Sequence, residues 1–151
     1  MIDWVIWSPS DLTVKSLHDI LALRADVFVV EQESPYLDID GLDITEGTVH
    51  LAAFDKDRIV AYSRLVENST NGRAVARVGR VVVHKDYRGG LGSELLDRSI
   101  QICKEKWPEH DIVLSAQEHL QGFYAKKGFV AEGCTYLDAG VPHVEMIAKC
   151  E

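Results

Sequence analysis

The stretch with the densest chemical potential runs from Val78 to Leu96: Val78-Gly79-Arg80-Val81-Val82-Val83-His84-Lys85-Asp86-Tyr87-Arg88-Gly89-Gly90-Leu91-Gly92-Ser93-Glu94-Leu95-Leu96. It reads as a β-strand, a glycine turn and the start of a helix. Glycines let the backbone approach a ligand closely, and a helix start offers unpaired N–H groups at a positive dipole end. Together they make a seat for a pyrophosphate. A glycine turn by itself also suits a dinucleotide site or a plain tight connection. A P-loop would need Gly-Lys-Ser/Thr at its end, whereas Gly92 is followed by Ser93-Glu94. A dinucleotide fingerprint would open an early βαβ unit, whereas this turn follows a hairpin in mid-chain.

Other chemistry-bearing residues are dispersed. Cys103, Cys134 and Cys150 are too widely spaced for a disulfide framework or a tetrahedral zinc site. None of the six histidines has a second histidine at helical ligand spacing, so no metal site is expected. Cys103 falls on the apolar face of a helix and reads as core, and neither Cys134 nor Cys150 has a base nearby in sequence. Asp38-Ile39-Asp40-Gly41-Leu42-Asp43 has the wrong ligand spacing for a calcium loop and lacks the closing glutamate. It reads as turn structure or as lining of an acceptor site.

The elements around these residues follow from periodicity. Ser10-Asp11 is expected to cap a helix with Val14, Leu17, Ile20 and Leu21 on its apolar face. Val27–Val30 ends that helical region or begins a short element, and Ser34–Gly47 reads as a loop. Val49–Phe54 and Ile59–Val66 form a hairpin, Asn68–Gly72 a turn and Ala74–His84 a central strand. Leu96, Ile100, Cys103 and Trp107 mark the next helix, which Pro108 stops. Ile112–Ala116 is a short strand and His119–Lys127 a short helix closed by Gly128; Phe129–Leu137 and His143–Ala148 finish as strands. The expected fold is α+β, an α/β/α sandwich with a mixed, mostly antiparallel sheet of six or seven strands and helices on both faces. Residues 1–151 read as a single domain.

Charge narrows the partners. The net charge of -8 argues against a nucleic-acid binder. Asp26 to Asp57 holds nine carboxylates and one lysine, whereas Gly72 to Trp107 holds eight cations and four acids. Such a split suits one end to a cation and the other to an anion, although ordinary solvated surface would read the same way. No leader pattern and no long apolar run is seen, so no membrane association and a cytoplasmic location are expected.

The Val78–Leu96 run resembles the cofactor motif of the GCN5-related N-acetyltransferase (GNAT) superfamily, a hydrophobic strand followed by Arg/Gln-x-x-Gly-x-Gly/Ala at a helix start. Leu114-Ser115-Ala116-Gln117 with Gly122-Phe123-Tyr124-Ala125-Lys126-Lys127-Gly128-Phe129 is similar to that superfamily's Tyr-x-x-x-Gly-Phe helix end. Arg24–Gln32, Pro35-Tyr36, Asp38–Gly41, Gln117–Gln121 and Val141-Pro142-His143 resemble the ElaA-like branch, so the resemblance spans almost the whole chain. The turn is one residue shorter than the pattern. Counting back from the glycines puts Tyr87 at the Arg/Gln position, and counting forward from Arg88 brings the glycines one residue early. Either Arg88 reaches the pyrophosphate from a tighter turn, or the turn binds it more weakly.

The resemblance implies direct transfer of the acetyl group of acetyl-CoA to a primary amine, small-molecule or peptidyl, without an acyl-enzyme. Backbone amides near Val81, Val82 and Val83 would hold the pantetheine and polarise the thioester carbonyl, which is worth ~3–4 kcal/mol per good donor. Arg88, Gly89, Gly90, Leu91, Gly92 and Ser93 would cradle the pyrophosphate, with Gln117 and His119 also along the cofactor. Tyr124 would donate to the departing sulfur. Full proton transfer from a phenol (pKa ~10) to a thiolate (~8.5) is uphill by ~2 kcal/mol, so hydrogen-bond donation is the better description. The attacking amine must be neutral, so a base is expected among Glu31, Asp40, His50 and His143, each of which also has a structural reading. Arg24, Tyr36 and Asp40 would contact the acceptor. A homodimer fits the same resemblance. Two alternatives remain at this level: an acylhomoserine-lactone-synthase-like acyltransferase, to which Arg24…Val27-Phe28-Val29…Glu31 is somewhat similar, and an acyl-CoA-binding module without turnover.

Overall fold

Alternating and β-branched runs supply seven strands, and a computed structural model describes residues 1–150. The strands are β1 (Ile2–Trp7), β2 (Val49–Asp55), β3 (Arg58–Thr70), β4 (Arg73–Val83), β5 (Asp111–Gln117), β6 (Val130–Asp138) and β7 (Val141–Ala148). They form one sheet in the order β1-β2-β3-β4-β5-β7-β6. Every neighbouring pair is antiparallel except β4 with β5. The mixed, mostly antiparallel sheet expected from the sequence is therefore present with seven strands. β1 is the strand absent from the periodicity reading above.

Helix α1 (Val14–Arg24) packs on one face, with Ile20 and Leu23 against Ala52, Ile59, Tyr62 and Val82. Its cap is Thr13 rather than Ser10 or Asp11: Thr13 Oγ1 accepts from the Ser16 amide at 3.0 Å. Ser8 and Asp11 instead close a short 3₁₀ turn at Pro9–Asp11. Val14, expected on the apolar face, is 91% exposed, because the buried stripe is set by Ile20, Leu23 and Arg24. Past Arg24 the chain continues as a π-helical segment, Ala25–Glu31, burying Val27. A π-helical stretch is rare and often marks a functional region.

Helix α2 (Leu91–Lys106) covers the opposite face through Leu95, Leu96, Ser99 and Cys103, close to the expected stripe. The short helix α3 (Gln121–Ala125) sits beside it and sends Tyr124 into the cluster of Leu96, Cys103, Leu114, Phe129 and Met146. Cys103 is fully buried there, as core. β6 is the edge strand beside β7 and is exposed along its length.

Candidate active site

The site grows from two irregularities of β4. On its β3 side, Tyr62 opposes Val82 and Arg64 opposes Gly79, so β4 carries one extra residue between these pairs. Arg80 sits in that bulge with φ +51, a left-handed conformation that costs a non-glycine residue about 1–3 kcal/mol. On its other side β4 pairs with β5 only through Val75 with Asp111, Ala76 with Ile112 and Arg77 with Val113. On its far edge β5 pairs with β7 along its length, from Ile112 with Ala148 to Gln117 with His143, but among the described residues nothing follows on its β4 side. The β5-facing edge of Val78–Val83 is therefore left without a strand partner among the described residues. Unpaired backbone N–H and C=O groups at such a parting need a ligand or water.

At the open end of the parting lies the turn into α2. Gly89 (φ +142) and Gly90 (φ +122) hold dihedrals that side-chain-bearing residues rarely adopt, and a Cβ at either position would meet nothing within 4 Å. Glycine is required here by the backbone, and the amide surface stays open. Gly90 is the N-cap of α2 and no side chain caps the helix, so the amides of Leu91, Gly92 and Ser93 have no intrahelical acceptor. The donor set fits a pyrophosphate.

Tyr124 borders the same parting from the α2 side. It is 7% exposed, and its hydroxyl has no hydrogen-bond partner among the described residues. Burial pushes its phenol above the usual tyrosine range, which keeps the proton on oxygen and leaves a free donor.

The opposite face carries a cluster of polar and charged groups. Asp38 and Asp40 lie on the loop after the π-helical segment. Arg80 Nη2 donates to Asp38 O at 2.8 Å and to Asp40 Oδ2 at 3.3 Å, and its guanidinium lies 6.0 Å from the Tyr36 ring centroid. Arg64 grips Asp40 with both terminal nitrogens, at 2.9 and 2.8 Å. Tyr36 Oη donates to Asp38 Oδ1 at 3.0 Å. Burial, reinforced by Asp38, pushes its phenol up to about 12. Ser34 Oγ donates to Ala139 O, tying this loop to the β6–β7 turn. His143, half-buried on β7, donates through Nδ1 to Val141 O at 2.7 Å and stacks on Tyr136. Since a carbonyl only accepts, the neutral ring keeps its lone pair on Nε2. Arg77 and Glu145 form an ion pair across β4 and β7.

Three expected site residues are engaged in ways that do not fit their expected roles. His50 is fully buried: Nε2 donates to Asp43 O at 2.9 Å and Nδ1 accepts from Tyr62 Oη at 2.6 Å. Both nitrogens are occupied, so His50 has no lone pair for an amine. Arg24 is also fully buried, held by Asp38 at 2.8 Å and Asp43 at 2.6 Å, so it braces the loop of Tyr36, Asp38 and Asp40 from beneath and has no surface for a substrate to touch. Glu31 lies against Arg88 at 2.6 Å. That contact holds its carboxyl below the usual range, which makes it a poor base. Asp40 is likewise held low: burial would raise it, but Arg64 and the Leu42 amide outweigh burial. Gln117 ends β5, half-buried, and His119 stands exposed on the 3₁₀ turn before α3.

Arg64 and the role of Arg80 were not singled out from the sequence, whereas Asp38 and Asp43 entered only within the Asp38–Asp43 run read as turn structure or acceptor lining. Arg80, a cation inside the Val78–Val83 run, carried a local signal; Arg64 carried none. A surface depression lies away from the β4–β5 parting, between α1 and the β2–β3 turn. Within its lining Lys15 pairs with Asp19, and Arg58 reaches out of it to Asp86 at 3.8 Å. The parting, with its unpaired amides, is the better candidate.

Comparison with known proteins adds the following. The model of the family described as acetyltransferase (GNAT) domain matches residues 24–150. The protein ElaA of Escherichia coli K12 is 39% identical over 147 residues, covering 97% of this chain and 95% of ElaA. The crystal structure of E. coli ElaA superposes with a TM-score of 0.92 at 38% identity, covering 99% of this chain and 100% of the other. An acyl-CoA N-acyltransferase from Pseudomonas aeruginosa superposes with a TM-score of 0.91 at 40% identity, covering 97% and 99%. A CoA-dependent acyl-homoserine lactone synthase has a TM-score of 0.78 at 20% identity, covering 99% and 84%, which shows a shared fold alone.

Proposed function

The chain belongs to the GNAT acetyltransferase family, within its ElaA-like branch, and on that premise we propose that it moves the acetyl group of acetyl-CoA directly to a primary amine. The observation that carries this reading is the parting of β4 from β5 after three residue pairs, beside the uncapped start of α2. The parting offers a slot for pantetheine and the helix start a seat for the pyrophosphate.

In this reading the amides near Val81–Val83 polarise the thioester carbonyl, and the turn Gly89–Ser93 receives the pyrophosphate. The Tyr124 hydroxyl donates to the sulfur as it leaves. His143 Nε2 takes the proton from the attacking amine, directly or through water, while Val141 O fixes the tautomer. Tyr36, Asp40 and Arg80 line the acceptor side. No helix among the described residues is long and apolar enough to cross a membrane. A cytoplasmic location belongs to the proposal, as does a homodimer using the exposed edge of β6, which sedimentation at rising concentration tests.

Release of free thiol from acetyl-CoA, followed across a panel of small and peptidyl primary amines, tests the function. Amine-dependent thiol release is expected. Tight acetyl-CoA binding with no release across the panel would instead favour a binding module, and preference for long acyl donors would favour the lactone-synthase-like alternative.

A further inference from the structure

Arg88 leaves the β4–α2 turn with its guanidinium already engaged. Nε donates to Val83 O at 3.1 Å, while Nη1 and Nη2 donate to the two carboxylate oxygens of Glu31 at 2.6 and 3.2 Å. Glu31 is the last residue of the π-helical segment, so the pair ties the acceptor-side segment to the cofactor-side turn. A carboxylate gripped end-on by two nitrogens occupies the guanidinium edge that suits a phosphate. The side chains of Arg88 and Glu31 are 46% and 35% exposed, and such pairs contribute little to stability.

Resting on the acyl-CoA reading above, we propose that Glu31 is a built-in competitor of the cofactor. It holds Arg88 when the site is empty and yields it to the pyrophosphate of coenzyme A when the site fills. The exchange is ionic and no covalent bond changes: one carboxylate leaves the Nη1–Nη2 edge as a more highly charged anion takes it. Paired, Arg88 and Glu31 add no net charge to the turn, and Lys85 is then the other cation within residues 84–93. Exchanged, Arg88 adds its full charge beside the amides of Gly89–Ser93. Glu31 then releases the segment that leads into Tyr36 and Asp40, so filling the cofactor site loosens the acceptor loop's anchor.

Calorimetric titration of coenzyme A into the wild-type chain, Glu31→Gln, Arg88→Gln and the double variant tests this, with Glu31→Ala as a second deletion of the carboxylate. Loss of the competitor tightens binding by about two- to fivefold at low salt, less as salt screens the pair. Arg88→Gln weakens binding, and in that background Glu31→Gln changes nothing. Binding that is unchanged or weaker in Glu31→Gln overturns the exchange and makes the pair a brace. A gain that persists undiminished without Arg88 also overturns it, because Glu31 then acts through its charge alone. Wild-type protein that fails to bind coenzyme A overturns the acyl-CoA reading together with this proposal, whereas normal wild-type binding with no tightening removes the exchange alone.

Discussion

Arg24 and Asp43, nineteen residues apart, meet at 2.6 Å with no Arg24 surface exposed. Asp43 Oδ1 also takes Arg64 Nη1 at 3.1 Å, so two guanidinium groups converge on one oxygen while Oδ2 is buried without a partner. Asp38 and Asp40 complete the balance against Arg24, Arg64 and Arg80. Three cations and three carboxylates bind the loop of Tyr36, Asp38 and Asp40 to α1, β3 and the bulge of β4.

Removing one member leaves a buried charge uncompensated. Arg24→Met should cost about 3–5 kcal/mol of stability by urea unfolding, because Asp38 and Asp43 stay desolvated without their partner. A loss under about 1 kcal/mol would mean that the network is solvated in solution.

His50 gives a pH dependence whose sign follows from its burial. Burial lowers its pKa below the ordinary 6.5, with the Asp43 carbonyl acting in the opposite direction. A depressed folded-state pKa means that the unfolded chain binds the proton more readily. The His50 contribution is therefore complete above pH 6.5 and declines as pH falls below it toward the folded-state value. Between pH 7.5 and 5.5 the urea midpoint should fall in wild type and fall less in His50→Asn. Equal slopes would show that His50 does not titrate on unfolding.

Tyr124→Phe removes a donor and keeps the ring in its cluster. With the hydroxyl facing a developing thiolate, kcat should fall about 10- to 100-fold, the value of one hydrogen bond to a charged group. KM for acetyl-CoA should stay within about twofold, and an unchanged kcat would remove Tyr124 from the chemistry.

His143→Gln keeps a polar side chain and removes the basic lone pair. The rate at saturating amine should drop by about 100-fold or more, with KM for acetyl-CoA unchanged. A drop below about threefold would return His143 to a structural role.

The parts legible in the chain were those fixed by near neighbours. The α2 stripe of Leu96, Ile100 and Cys103, the β2–β3 hairpin and the glycine turn each express a local period or a dihedral demand. β1 went unread because Ile2–Trp7 interrupts its alternation at Val5 and Ile6, and its place is set by pairing with the distant β2, from Ile2 with Asp55 to Trp7 with His50. Arg24 and His50 look like site residues in sequence, since a charge and an imidazole suggest chemistry. Only the fold shows Asp38, Asp43 and Tyr62 satisfying them in the interior. The parting of β4 from β5 has no local signal either; the resemblance pointed only to the Val81–Val83 amides that line it.

Hydrogen–deuterium exchange with and without acetyl-CoA reaches the central claim most directly, by reading the amides themselves. Protection should rise together at Val81–Val83 and at Gly89–Ser93, with the outer strands β1 and β6 unaffected. Saturating acetyl-CoA that leaves both stretches exchanging as in the free chain, or protects only residues remote from the β4–β5 parting, would contradict the account.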